Sequence, residues 1–109
     1  MYKILLACGS GISSGFMASA MRKYAKKQGV AAEVKAVADP EIMNYVEDYD
    51  VLMLGPHLQY KFEAEKRELA GKNIPVCLIE QKKYAMLDGE GIFKDAVEAV
   101  DACRSSTDK

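Results

Sequence analysis

Ile4-Leu5-Leu6-Ala7-Cys8-Gly9-Ser10-Gly11-Ile12-Ser13-Ser14-Gly15 runs from an apolar stretch straight into a glycine- and serine-rich turn. Phe16, Met17, Ala20, Met21 and Tyr24 then recur at helical spacing, with Arg22, Lys23, Lys26 and Lys27 turned to water. Gly29 stands where a helix C-cap glycine belongs. A short strand, a tight turn and an amphipathic helix in that order open an α/β fold.

The rest of the chain repeats the alternation. From Val30 to Val37, Val30, Ala32, Val34 and Ala36 fall on one face and Glu33 and Lys35 on the other, the pattern of an edge strand. Asp39-Pro40-Glu41 is a helix start, with a cap, a proline at the first helical position and an acid in the first turn. Ile42, Met43 and Val46 make that helix's apolar stripe. Val51-Leu52-Met53-Leu54 is apolar on both faces, as a central parallel strand is, and Gly55-Pro56 ends it. The spacing predicts a helix from Leu58 to Ala70 with Leu58, Phe62 and Leu69 inward, stopped by Gly71. Ile74 to Ile79 is a fourth strand, and its Pro75 points to an edge. Asp88 caps a last helix whose inward positions are Ile92, Phe93, Ala96, Val97 and Val100.

Strands near residues 3–7, 31–37, 51–55 and 74–79, joined by helices, predict one parallel sheet covered on both faces, with strand 3–7 central. Ligands of such sheets bind beyond the carboxyl ends of the strands. The loops that matter are therefore those after Ala7, Leu54 and Ile79.

Composition narrows the class. At 109 residues the chain is one domain, with Ser105-Ser106-Thr107-Asp108-Lys109 as a disordered polar tail. The net charge of -1 and the absence of a basic tract argue against nucleic acid. Apolar runs such as Ile4 to Cys8 and Val51 to Leu54 fall far below the ~20 residues of a membrane span, and the N-terminus lacks a signal-peptide layout. The expectation is a cytoplasmic monomer whose Cys8, Cys77 and Cys103 are reduced thiols. Three separated cysteines and the single His57 do not make a four-ligand zinc site, and no cofactor is expected. Cys77, inside an apolar strand, and Cys103, near the C-terminus, read as non-functional.

The chemistry gathers at residues 8–15. Glycines 9, 11 and 15 allow a tight turn that exposes backbone N–H groups. Such N–H groups and a helix N-terminus together hold a phosphate-sized anion, and Ser10, Ser13 and Ser14 add hydroxyl donors. No lysine or arginine lies between Cys8 and Met21, so none is needed for this cradle. The same field favours the Cys8 thiolate, a nucleophile toward phosphorus. The sequence is neither a Walker A loop, lacking Gly-Lys-Ser/Thr, nor a dinucleotide fingerprint, since Ser14 stands where the third glycine belongs. It approaches the phosphatase pattern of cysteine, five residues, arginine, but Ser14 occupies the arginine position.

Ile4 to Gly15 resembles the IIB components of the phosphoenolpyruvate-dependent sugar phosphotransferase system. Leu54-Gly55-Pro56 with Tyr60, and Tyr84 with Asp88-Gly89, are similar to the lactose/cellobiose family in particular. The resemblance spans about residues 2 to 101 and makes residues 1–104 a IIB-type domain. It implies a three-layer α/β sandwich with a four-stranded parallel sheet in order 2-1-3-4 and a phosphatase-like cysteine loop after the first strand. It also implies a protein-phosphocysteine–sugar phosphotransferase. Cys8 accepts a phosphoryl group from a IIA phosphohistidine, and residues Gly9, Ser10, Gly11, Ile12, Ser13, Ser14 and Gly15 hold the phosphate. The acceptor is a sugar bound to the membrane IIC permease, through which alone the chain meets the membrane. His57, where members often carry glutamine, lies on a loop expected beside Cys8; it and Tyr60 and Tyr84 are candidates to line the site. Met17, one turn past the loop, is a candidate to face a partner. The alternative is a cysteine-dependent phosphatase or arsenate-reductase-like enzyme, and a third reading is an anion-binding module without catalysis.

Overall fold

The computed structural model describes residues 2–8, 12–38 and 41–107, and of residues 8, 12–14 and 105–107 only the backbone. Strand β1 (Tyr2–Cys8) leads to helix α1 (Ile12–Lys27) and strand β2 (Ala32–Ala38). A short helix α2 (Ile42–Tyr45) passes through a 3₁₀ turn (Val46–Asp48) into β3 (Val51–Leu54). A 3₁₀ segment (Pro56–Lys61) precedes α3 (Phe62–Ala70), then come β4 (Val76–Leu78), α4 (Gln81–Ala85) and α5 (Gly89–Thr107). The strands make one all-parallel sheet in the order β2-β1-β3-β4, as expected.

Alternation along β1 builds two cores. Ile4 and Leu6 pack with Met17, Met21, Ile92 and Ala96 under α1 and α5. Leu5 and Ala7 pack with Ile42, Val46, Leu58 and Leu69 under α2 and α3. Ile4, Leu5, Leu6 and Ala7 are wholly buried, which is why that stretch is apolar without interruption. The result is a three-layer sandwich whose central strand delivers Cys8 to the carboxyl edge of the sheet.

Several local expectations are corrected. Phe16 was expected in the α1 stripe and Met17 toward a partner; instead Met17 is fully buried and Phe16 is 67% exposed. Neighbouring residues on a helix sit about 100° apart, so the two cannot both face the sheet. Ala18 and Ala25 are buried beside Met17 and Met21, and packing these small residues on the sheet turns Phe16 outward. The helix expected from Leu58 begins at Phe62, because Leu58 has non-helical angles (φ -106, ψ 19) within the 3₁₀ segment that Pro56 opens. Gly71 follows α3 but is right-handed; Asn73, at φ 59, takes the left-handed position. The α4 helix was not foreseen. At the other end, α5 continues through residues 105–107 of the expected tail, since no glycine or proline follows Gly91. Asp39 and Pro40, the proposed start of α2, lie outside the described residues.

Gly89 marks where α5 crosses α1. A Cβ there would stand 2.7 Å from the Ala20 carbonyl carbon and 2.8 Å from its Cβ, both rigidly held. Gly89→Ala is therefore expected to destabilise the fold by about 1–3 kcal/mol through overpacking. A lowered urea midpoint with an unchanged slope checks this.

Candidate active site

Cys8 ends β1 in register with Ala38 of β2, and Ala7 pairs with Leu54 of β3. The Gly55 N–H donates to the Ala7 carbonyl at 2.8 Å, and the Ile79 N–H to the Leu54 carbonyl at 2.8 Å. The three loops singled out in the sequence thus leave the same edge of the sheet. Gly9, Ser10 and Gly11 lie outside the described residues, as does the Cys8 side chain.

Only those three residues separate β1 from α1. Ile12, Ser13, Ser14 and Gly15 belong to the first turn of the helix rather than to a loop. Their N–H groups are the ones that lack intrahelical acceptors, and they point back toward the end of β1. A 16-residue helix behind them adds its positive end. This arrangement can hold an anion and favour a thiolate without a cationic side chain. Arg22, the first arginine of the chain, is committed elsewhere: its Nε donates to the Val34 carbonyl of β2 at 2.9 Å.

His57 and Tyr84 meet, ring centroids 5.6 Å apart and edge to face. The His57 side chain is exposed; Tyr84 is buried at 8% exposure within the α1–α5 core. They line a groove of about 400 Å³ with Pro56, Gln59, Glu80 and Gln81. Tyr60 is not part of it and stands 74% exposed. The carboxylate that the fold brings here, unmarked in the sequence, is Glu80. It opens α4 and pairs with Lys83 at 3.6 Å. Its arrival depends on the β4–α4 junction, which carried no helix signal. Asp88 caps α5 as expected, accepting from the Gly91 N–H at 3.0 Å.

The other thiols differ in setting. Burial, with Asp95 nearby, pushes the Cys77 thiol up from its ordinary range, which leaves it a poor nucleophile near neutrality. The Cys103 thiol donates to the Asn73 carbonyl at 3.1 Å, at the base of the fold where α5 passes the start of β4. Among the described residues, no cluster of His, Cys, Asp and Glu could hold a metal ion, and no helix is long and apolar enough to cross a membrane.

Comparison with known proteins points one way. A family model described as "PTS system, Lactose/Cellobiose specific IIB subunit" matches residues 3–95. The oligo-beta-mannoside-specific EIIB component of Bacillus subtilis is 32% identical over 97 residues, 89% of this chain and 94% of the relative. The lactose-specific EIICB component of Staphylococcus epidermidis is 27% identical over 88 residues, 81% of this chain but 15% of that longer protein. The solution structure of a cellobiose-specific IIB component from Borrelia burgdorferi superposes with a TM-score of 0.78 at 28% identity, covering 93% of each chain.

Proposed function

The chain belongs to the lactose/cellobiose-specific IIB family of the sugar phosphotransferase system, and from that premise we propose that it is a phosphoryl carrier working through Cys8. The observation that carries the reading is positional: a cysteine closes the central strand, three residues before a helix N-terminus, at the sheet edge where ligands of this architecture bind. The thiolate attacks the phosphorus of a phosphohistidine on a IIA protein; the P–N bond breaks, a P–S bond forms and the imidazole leaves. A hydroxyl of the sugar held by the IIC permease then attacks the same phosphorus. The P–S bond breaks, a P–O bond forms, the hydroxyl proton is released and the thiolate returns. The N–H groups of residues 9–15 cradle the phosphoryl oxygens in both steps. The carrier works in the cytoplasm and reaches the membrane through the permease. The fused EIICB relative supports that pairing, since there one chain joins the two components by name.

The test is intact mass after incubation with phosphoenolpyruvate, the general carrier proteins and IIA. One phosphoryl group is expected on the chain, and its loss when permease vesicles and sugar are added. No mass gain sinks the proposal. Because backbone N–H groups make most of the contacts, Ser13→Ala and Ser14→Ala are each expected to weaken transfer modestly. About 1–2 kcal/mol per lost hydrogen bond is the scale, read as the charging rate at limiting donor.

A further inference from the structure

Three helices of this fold end in the same cap. At the end of α1 the Gly29 N–H donates to the Lys26 carbonyl at 3.1 Å and the Val30 N–H to the Ala25 carbonyl at 2.9 Å. After α3 the Asn73 N–H reaches Ala70 at 3.2 Å and the Ile74 N–H reaches Leu69 at 3.3 Å. After α4 the Leu87 N–H reaches Tyr84 at 3.1 Å and the Asp88 N–H reaches Lys83 at 2.9 Å. This paired closure puts the first donor of each pair in the left-handed region. The φ angles there are 69° for Gly29, 59° for Asn73 and 51° for Leu87.

Glycine and asparagine are the residues this position tolerates. Leucine is not, because its Cβ crowds the backbone there. Nothing in the core compensates: the Leu87 side chain is 47% exposed and belongs to neither hydrophobic cluster. A strained backbone that holds an apolar side chain in water points away from folding and toward binding.

Leu87 has apolar company. Met86 beside it is 69% exposed, and Phe16 on the first turns of α1 is 67% exposed. The segment carrying Met86 and Leu87 runs into Gly89, which lies against Ala20 of α1. Two residues, at most about 7 Å of chain, separate Leu87 from that contact. Phe16 lies one turn before Ala20 on the same side of α1, toward Cys8. Exposed apolar side chains gathered at one edge mark a protein-binding surface.

We propose that Phe16, Met86 and Leu87 form the surface on which the phosphoryl-donor protein docks, with Leu87 as its anchor. The proposal rests on the carrier reading of Cys8. Apolar side chains recognise neither sugar nor phosphate, so the occupant is a protein face with exposed apolar residues around its phosphohistidine. Of the two partners, the donor needs such a surface more. The permease is confined to the bilayer, whereas a diffusing donor is held by its contact surface alone.

Leu87→Gly separates binding from folding, because it relieves the strained cap while removing the anchor. The expected melting temperature is unchanged or higher by about 4 °C. The donor concentration giving half-maximal charging of Cys8 is expected to rise about tenfold, with the maximal rate unchanged. Discharge of the phosphorylated chain to sugar in permease vesicles is expected at the wild-type rate. Phe16→Ser, on a different element, is expected to raise the same half-saturation. Half-saturation unchanged in both variants overturns the docking surface while leaving the carrier reading intact. Discharge slowed as much as charging overturns the assignment to the donor, and a clear fall in the melting temperature of Leu87→Gly makes the leucine structural instead. A wild-type chain that takes no phosphoryl group from the donor refutes the carrier reading and the docking surface together.

Discussion

A Cys8→Ser chain is expected to fold normally and to take up no phosphoryl group from IIA. The serine hydroxyl is nearly isosteric but titrates far above the thiol, so the helix N-terminus that favours a thiolate does not yield an alkoxide. The loss in transfer is expected to be about 10³-fold or more, the scale on which nucleophile deletions act. The fold has little reason to respond, because the burial of β1 is carried by Ile4, Leu5, Leu6 and Ala7. Cys77→Ser is the matching control. Its thiol is pushed up by burial within β4, so that variant is expected to charge like the wild type. Intact mass and peptide mapping of the charged proteins read both results. Label retained in the Cys8→Ser chain refutes the assignment and transfers it to His57, which stands on the loop beside the end of β1.

The second large effect separates a carrier from a hydrolase, and it turns on Ser14. A phosphatase loop needs a guanidinium to stabilise the second transition state and an acid or base to direct water at phosphorus. Ser14 occupies the arginine position of that pattern, and Arg22 is tied to the Val34 carbonyl. Glu80, the carboxylate that the fold brings to the groove, pairs with Lys83. Turnover of a generic aryl phosphate is therefore expected to be negligible. The phosphocysteine, left without acceptor, is expected to outlast a phosphatase intermediate by at least about a hundredfold, the cost of one missing oxyanion donor. Following dephosphorylation of the charged protein over time checks the second expectation. Rapid multiple turnover of the aryl phosphate promotes the phosphatase reading and overturns the carrier.

Much of the architecture was legible because period and punctuation agreed. The uninterrupted apolar runs of β1 and β3, the alternation of β2 and the stripe of α5 each bury what their pattern says they bury. The strand–cysteine–turn–helix order placed the candidate nucleophile at the sheet edge before any coordinates were at hand. Asp88 was legible as a cap because its chemistry is local: one carboxylate oxygen and an N–H three residues on.

What resisted depended on contacts between distant segments. Whether Phe16 or Met17 faced the sheet was decided by how closely α1 approaches it, which Ala18 and Ala25 permit and no stripe count weighs. The meeting of His57 with Tyr84, and the arrival of Glu80 beside them, required β3 and β4 to end side by side. The left-handed turn at Leu87 had no sequence signal, because such turns are announced by glycine or asparagine and leucine announces the opposite. The amino-acid sequence by itself determined the elements, the parallel sheet and the position of Cys8 at the end of its central strand, since strand and helix periods and turn chemistry act over a few residues. Only the tertiary structure decided which apolar side chains stay in water at the edge beside α1, because that choice is made by packing between helices far apart in the chain.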